Sequence, residues 1–158
     1  MNKKIILGLC LVVAVMSIGT VCAESMVSHD FDDFKMDVPK DSNFQKVPLN
    51  NTDDADILNM NEKAYLDEGN MIIVESVDTS LISKNQISLF THYVFNLVNP
   101  DLNQAYEHQD GNLRVMEPAS NSDQYFSVVC INSGNKSVVL AGLDVNTLKD
   151  MANTIDFN

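Results

Sequence analysis

Acidic side chains offer the most abundant chemistry in this 158-residue sequence, which has 22 Asp and Glu against 10 Lys and Arg. Two short runs concentrate them, His29-Asp30-Phe31-Asp32-Asp33 and Asp53-Asp54-Ala55-Asp56. Carboxylate oxygens are the ligands that Ca²⁺ prefers. Asp53, Asp54 and Asp56 are therefore the candidate metal ligands, although neither run has the acid register, central glycine and closing glutamate of an EF-hand loop. Acid-rich loops that only face solvent are the alternative interpretation.

The three histidines do not form a zinc motif. His29, His92 and His108 lie far apart in the sequence, and no two of them have the i, i+4 spacing of a helical metal site. A zinc site would need all its ligands to converge through the fold.

Motifs of the common enzyme classes are absent from the sequence. It contains no GxSxG elbow, P-loop, HExxH or GxGxxG pattern. Carboxylate pairs for glycoside hydrolysis cannot be chosen among 22 acids without their geometry. The sequence therefore predicts a non-enzymatic protein without catalytic residues or a resident cofactor, apart from the Ca²⁺ alternative. A small hydrolase with an unrecognised site is a third hypothesis.

The first 23 residues have the pattern of an export signal. Lys3 and Lys4 precede an apolar stretch over residues 5–18, and Val21-Cys22-Ala23 supplies small residues for cleavage before Glu24. An uncleaved N-terminal membrane anchor is the alternative. The signal predicts a secreted or cell-envelope protein, without stable membrane association after cleavage.

Cleavage would leave a strongly acidic chain. It would have 158 − 23 = 135 residues and a charge of about 8 − 22 = −14, because Lys3 and Lys4 leave with the signal. Such a surface repels the phosphates of nucleic acids and anionic lipid headgroups, and it attracts cations or basic partners. Cys130 would be the only remaining cysteine, and its place in an apolar run predicts a buried, unreactive thiol.

The last third of the chain holds the strongest structural pattern. Residues 125–131 and 137–143 are apolar, β-branched runs separated by Asn132-Ser133-Gly134-Asn135, which predicts a central hairpin. Asp144 is a candidate N-cap. One apolar stripe of a final helix follows, at Val145, Leu148, Met151, Ala152 and Ile155.

The preceding chain alternates strands with one long helix. Residues 24–33 are interpreted as a flexible acidic lead-in, and residues 34–38 as a strand that ends at Pro39. Two hairpins are predicted, at residues 63–77 and 104–117, with Gly69 and Gly111 supplying the positive φ of their turns. Between them lies an amphipathic helix from a Ser83 N-cap to about Val98, with the stripe Ile87, Phe90, Val94 and Leu97.

These elements predict one α+β domain over residues 34–158, with a mainly antiparallel sheet covered by two amphipathic helices. The predicted core residues are Phe34, Phe90, Val94, Leu97, Phe126, Val128, Cys130, Leu148 and Ile155.

The element order resembles the PsbP-like α/β/α sandwich. The resemblance rests on the early strand Phe34-Lys35-Met36-Asp37-Val38-Pro39, the following hairpin, helix and strand meander, and a closing strand-to-helix unit from Val138 to Phe157. It implies a non-enzymatic binding or assembly module, and some proteins of this kind are exported lipoproteins. Abundant Asn and an excess of Lys over Arg also resemble small exported proteins of AT-rich prokaryotes or archaea.

The leading functional hypothesis is therefore an exported, non-enzymatic module that binds a protein or cell-surface partner. The alternative is an exported Ca²⁺-binding protein that uses the acidic loop at Asp53, Asp54 and Asp56.

Overall fold

The computed structural model describes residues 25–47, 62–79, 84–102, 104–119 and 124–158, with residues 84–87 described by their backbone alone. They form one α+β domain with mainly antiparallel sheets and two helices, as the sequence predicts. The strands are β1 Met26–Asp30, β2 Phe34–Pro39, β3 Gln45–Val47, β4 Glu62–Asp67, β5 Ile72–Asp78, β6 Ala105–Asp110, β7 Leu113–Pro118, β8 Ser127–Ser133, β9 Lys136–Gly142 and β10 Asp156–Phe157. The helices are α1 Lys84–Val98 and α2 Val145–Asn153.

The larger sheet has the strand order β3-β4-β5-β9-β8-β7-β6, and every neighbouring pair is antiparallel. The predicted C-terminal hairpin is β8–β9, and β9 is the middle strand of the seven. Its run Val138, Val139, Leu140 and Ala141 is buried on both faces, which suits the position farthest from either edge.

Alternation along the strands divides the core into two clusters, one on each face of this sheet. Ile72, Val74, Val129 and Leu140 pack in one cluster with Leu148 and Met151 of α2 and with Phe34 and Met36 of β2. Ile73, Val128, Cys130 and Val139 pack in the other with Val94, Phe95 and Val98 of α1. The period of two thus places each strand's apolar side chains on two opposite faces.

A second sheet has the order β1-β2-β10. The lead-in predicted over residues 24–33 is wrong for Met26–Asp30, which pair with residues 35–39 of β2 along their whole length. Their side chains are mostly exposed, so the strand is held by backbone hydrogen bonds and carries little apolar pattern. The domain therefore begins before the predicted boundary at Phe34.

The buried face of α1 is rotated from the predicted stripe. The buried residues of α1 include Thr91, Val94, Phe95 and Val98. Phe90 and Leu97, which belong to the predicted stripe, are only partly buried. Ile87 and the Ser83 N-cap lie outside the described side chains. Of the other predicted core residues, Phe34, Phe126, Val128, Cys130 and Leu148 are buried, and Ile155 packs partly buried against its cluster.

The two glycine hairpins differ in how they turn. Gly111 has a φ of 60° between β6 and β7, which is the left-handed backbone predicted there. In the turn between β4 and β5 the left-handed residue is Met71, with a φ of 53°, and not the predicted Gly69. Asp67 supports this turn, because its carboxylate accepts hydrogen bonds from the Gly69 backbone N–H at 3.1 Å and the Asn70 amide at 2.8 Å.

Helix α2 begins at the predicted N-cap. The Asp144 carboxylate accepts the Asn146 backbone N–H at 3.0 Å and the Thr147 hydroxyl at 2.8 Å. The helical pattern predicted as far as Phe157 is wrong beyond Asn153, because Asp156–Phe157 pair with β2 as β10. Neither described helix is long and apolar enough to cross a membrane.

Candidate functional site

A polar cluster joins helix α1 to the edge hairpin β6–β7. The Glu107 carboxylate lies 3.0 Å from His92 Nε2 and 2.9 Å from Arg114 Nη1. Arg114 Nη1 also donates a hydrogen bond to the Ser88 hydroxyl. Four side chains from three elements therefore meet on the face of the sheet that carries α1.

Local geometry explains this convergence. Ser88 and His92 are four residues apart, so they lie one above the other on the helix. In the β6–β7 register Glu107 faces Met116 and Arg114 faces Gln109, so the Glu107 and Arg114 side chains are diagonal neighbours on the same face as the buried Met116.

The arrangement favours a structural connection. Arg114 donates to the oxygen of Ser88, and the Glu107 carboxylate lies within 3.0 Å of both His92 Nε2 and Arg114 Nη1. A nucleophilic serine would instead need its hydroxyl aimed at a base within hydrogen-bond distance. The cluster therefore fastens the hairpin to α1 through charge-assisted hydrogen bonds.

The opposite face of β6 is fastened to α2. The Asp110 carboxylate forms an ion pair with the Lys149 ammonium, which lowers the pKa of Asp110 and raises that of Lys149. His108 Nδ1 lies 3.7 Å from Glu117 Oε1, which is beyond hydrogen-bond distance, and it finds no other partner among the described residues. The Tyr106 ring lies 5.3 Å from the His108 ring and is 63 % exposed.

Strand β6 thus combines firm attachment with high exposure. Its residues are exposed on both faces except for the intermediate His108, because the strand is the last one in the sheet. Contacts from α1 on one face and from α2 on the other fix its position. Among the described edge strands of the two sheets, β6 is the longest, with six residues.

A second charged cluster surrounds the loop between β1 and β2. Lys35, Lys46 and Lys63 lie 3.9, 3.1 and 2.8 Å from the carboxylates of Asp30, Asp32 and Asp33, respectively. Asp32 has a φ of 70°, and its pKa is lowered by its hydrogen bond to Lys46.

Backbone contacts complete this cluster. Lys136 Nζ donates to the carbonyl oxygens of Asp33 at 3.2 Å and Asn158 at 2.8 Å. The Tyr65 hydroxyl donates to the Phe31 carbonyl oxygen at 2.8 Å. Burial and the neighbouring Asp32 charge raise the pKa of Tyr65 to about 12. The loop holds the small sheet against the large one.

The candidate Ca²⁺ ligands Asp53, Asp54 and Asp56 lie outside the described residues. The other acidic run does not gather around a cation site, since its aspartates contact lysines and the His29 ring packs 4.5 Å from Phe31. Within the described ranges, no group of three or more His, Cys, Asp and Glu side chains is arranged to hold a metal ion.

Cys130 lies in the interior of the sheet with 0 % exposure. Burial raises the pKa of its thiol, which disfavours the thiolate form that nucleophilic chemistry needs. Its neighbours in the α1-side cluster include Phe126 and Val128.

Sequence reasoning missed the group of Ser88, His92, Glu107 and Arg114. The available signal was Arg114, the only arginine in the chain, placed within an alternating strand. Its partners come from a helix and a neighbouring strand, so only the sheet register brings them together. In comparisons with known protein families and with curated proteins, nothing matches this sequence.

Proposed function

We propose that this protein is an exported, non-enzymatic binding module for a cationic segment of a protein partner. The observation that carries the proposal is the charge distribution. The chain without its N-terminal 23 residues has a charge of about 8 − 22 = −14. Such a charge favours encounters with basic partners and disfavours nucleic acid and anionic lipid.

The positions of the cationic side chains strengthen this argument. Lys35, Lys46, Lys63, Arg114 and Lys149 each lie against an acidic side chain of the domain itself. Acidic residues such as Glu68, Asp101 and Asp150 face solvent. An approaching ligand therefore meets a surface whose accessible charge is predominantly negative.

Exposed apolar side chains supply contact area beside this charge. Leu89 and Tyr93 are 67 % and 48 % exposed and lie one turn apart on α1. Tyrosine is enriched among residues that dominate binding energy at protein interfaces. The pKa of Tyr93 is raised by partial burial and by Glu62, so an acidic side chain lies near this apolar pair.

Several finer features belong to the same proposal. We propose export through the signal at residues 1–23, with the mature protein at the cell envelope or outside the cell. We also propose that α1 and α2 cover the two faces of the large sheet in a PsbP-like sandwich. The packing of Val94 and Phe95 in one cluster and Leu148 and Met151 in the other supports this arrangement.

Calorimetric titration of the exported protein with a lysine-rich peptide and with a glutamate-rich peptide of equal length tests the function. We expect saturable binding of the basic peptide only, with affinity that falls steeply as salt is added. Two results would contradict the proposal. One is that the basic peptide does not bind at low salt. The other is turnover of a generic hydrolase substrate that is lost when a single residue is substituted.

The alternative is Ca²⁺ binding, which the three aspartates within residues 53–56 favour. Melting with EDTA and with millimolar Ca²⁺ or Mg²⁺ tests it. A ligand at about a hundred times its Kd stabilises by about 2.7 kcal/mol, which is several degrees for a domain of this size. A Ca²⁺-specific rise that Asp53→Ala with Asp54→Ala abolishes would support the alternative, and an unchanged melting temperature would reject it.

A further inference from the structure

The β6 backbone presents a row of hydrogen-bonding groups at the sheet edge. A two-residue turn, Gly111-Asn112, joins β6 to β7, so the flanking pair Asp110 and Leu113 exchanges hydrogen bonds. Alternation then points the N–H and C=O groups of His108 and Tyr106 toward β7. The carbonyl oxygen of Gln104 follows the same alternation, since it accepts a hydrogen bond from the Ala119 N–H at 3.2 Å.

The residues between them face the other way. The N–H and C=O groups of Ala105, Glu107 and Gln109 point away from β7, on the side of β6 where the sheet order ends. They are spaced at two-residue intervals, the spacing at which an extended chain offers its own donors and acceptors.

Within the described residues, this edge has little of the usual protection of edge strands. Natural edges are blunted by charged side chains, especially lysine, by proline, by bulges, by short length or by a covering helix or loop. The segment Ala105–Asp110 has no lysine or proline, and its six residues pair with β7 in unbroken register. The opposite edge of the same sheet, β3, has only three residues.

The charged side chains of β6 leave the edge accessible. Glu107 contacts His92 and Arg114 on the α1 face, and Asp110 contacts Lys149 on the α2 face. Both carboxylates therefore lie over the faces of the sheet and not along its open edge. Tyr106 keeps 63 % exposure and forms a ring surface next to the open backbone.

We propose that β6 binds an extended segment of the partner as an eighth strand of the sheet, and that this segment alternates basic and apolar residues. This inference rests on the proposed function and specifies its site. Main-chain hydrogen bonds of an added strand give affinity, while alternate side chains give selectivity.

The alternation follows from the two faces of β6. Partner residues opposite Glu107 and Gln109 project onto the α1 face. The Glu107 side chain keeps 36 % exposure, so a Lys or Arg of the partner can share its carboxylate with Arg114 and His92. Partner residues opposite Tyr106 and His108 project onto the α2 face, where a β-branched side chain packs against the exposed Tyr106 ring.

A second copy of this chain fits the edge less well. Antiparallel pairing of two β6 strands centred on Glu107 places this residue opposite itself, and like charges directly opposite are destabilising. Each chain also has a charge of about 8 − 22 = −14 without the N-terminal 23 residues, so the two copies repel each other. A basic segment of a partner protein is free of both the like-charge repulsion at Glu107 and the repulsion between two acidic chains.

The test compares two variants at one position. Gln109→Pro removes an outward N–H without removing a bond to β7, and proline is tolerated at such edge sites. Gln109→Thr is the matched control, because it also loses the side-chain hydrogen bond to Gly111 but keeps the backbone donor. Ala105→Pro with Ala105→Thr repeats the comparison at another outward residue.

Fluorescence anisotropy of a labelled heptapeptide with alternating lysine and valine is the measurement, and a peptide with the same residues in two blocks is the control. We expect the exported wild-type protein and Gln109→Thr to bind the alternating peptide, and at least one folded proline variant to bind it about tenfold or more weakly. Equal binding by the folded proline and threonine variants would overturn the edge inference. Self-association of the wild-type protein that is lost in the proline variants would also overturn it.

The peptide pair separates this inference from the function on which it rests. Equal binding of both basic peptides, unaffected by proline, would retain a cationic ligand and reject the β6 edge. Binding of neither peptide would reject both.

Discussion

The Glu107 carboxylate lies 3.0 Å from His92 Nε2, so the outermost strand of the large sheet is joined directly to helix α1. The same carboxylate lies 2.9 Å from Arg114. This contact, together with the Asp110–Lys149 pair on the other face, holds an exposed edge strand in a fixed place. A preorganised edge binds an extended chain at lower entropic cost than a mobile one.

Glu107→Gln is expected to weaken the attachment of β6 without unfolding the domain. The side chain is 36 % exposed, so solvent screening limits the loss to about 1 kcal/mol or less. Thermal melting checks this value, and Glu68→Gln in an exposed turn is the control with the same charge change. A Glu107→Gln melt that coincides with that of wild type and control would show that the cluster contributes nothing.

The Asp110–Lys149 pair predicts a defined pH window. Lys149 lowers the pKa of Asp110 below 3.8, so this stabilisation is present above that pH and is lost as the pH falls through the native pKa. Asp110 raises the pKa of Lys149 above 10.5, so the stabilisation is present below that pH and is lost as the pH rises.

Melting of wild type and Asp110→Asn across the pH range measures this window. We expect the difference in melting temperature to be largest between these limits and to shrink beyond either one. A difference that does not vary with pH would mean that the ion pair is not its source.

Local pattern was enough to predict the centre of the fold from sequence. Residues 137–143 and Asp144 gave β9 and the N-cap of α2, because apolar runs and caps are local features. β1 and β10 were missed because their stability comes from pairing with β2. The polar run Ser28, His29 and Asp30 reads as a loop until β2 supplies its backbone partners.

The face of α1 shows a second limit. Phe90, Val94 and Leu97 form one plausible stripe, whereas Val94, Phe95 and Val98 form another rotated slightly from it. The sheet against which the helix packs decides between them, and that sheet is assembled from distant segments. The charged cluster at Glu107 was missed for the same reason.

Substitutions on α1 test its orientation. Val94 is 5 % exposed within the core, so Val94→Asp would bury a charge at a cost of several kcal/mol, enough to unfold a typical domain. Leu89 is 67 % exposed on the same helix, so Leu89→Asp is expected to leave a cooperative melt. Circular dichroism checks both variants, and similar melts would show that the helix faces the sheet differently.

Tyr65 is expected to ionise late. Burial and Asp32 raise its pKa to about 12, so as the pH rises from 10 the unfolded chain loses this proton first and stability falls. Phenolate absorbance of the native protein and of Tyr65→Phe measures the effect. The variant should lack the component that titrates near pH 12, and loss of a component near pH 10 instead would contradict the hydrogen bond to Phe31.

Amide hydrogen exchange along β6 observes the open sheet edge and its ligand in one experiment. In the protein alone we expect slow exchange at His108 and Asp110, whose N–H groups face β7, and fast exchange at Glu107 and Gln109, whose N–H groups face outward. The alternating lysine–valine peptide should slow exchange at Glu107 and Gln109. Peptide binding that leaves these two amides fast would contradict an added strand at β6.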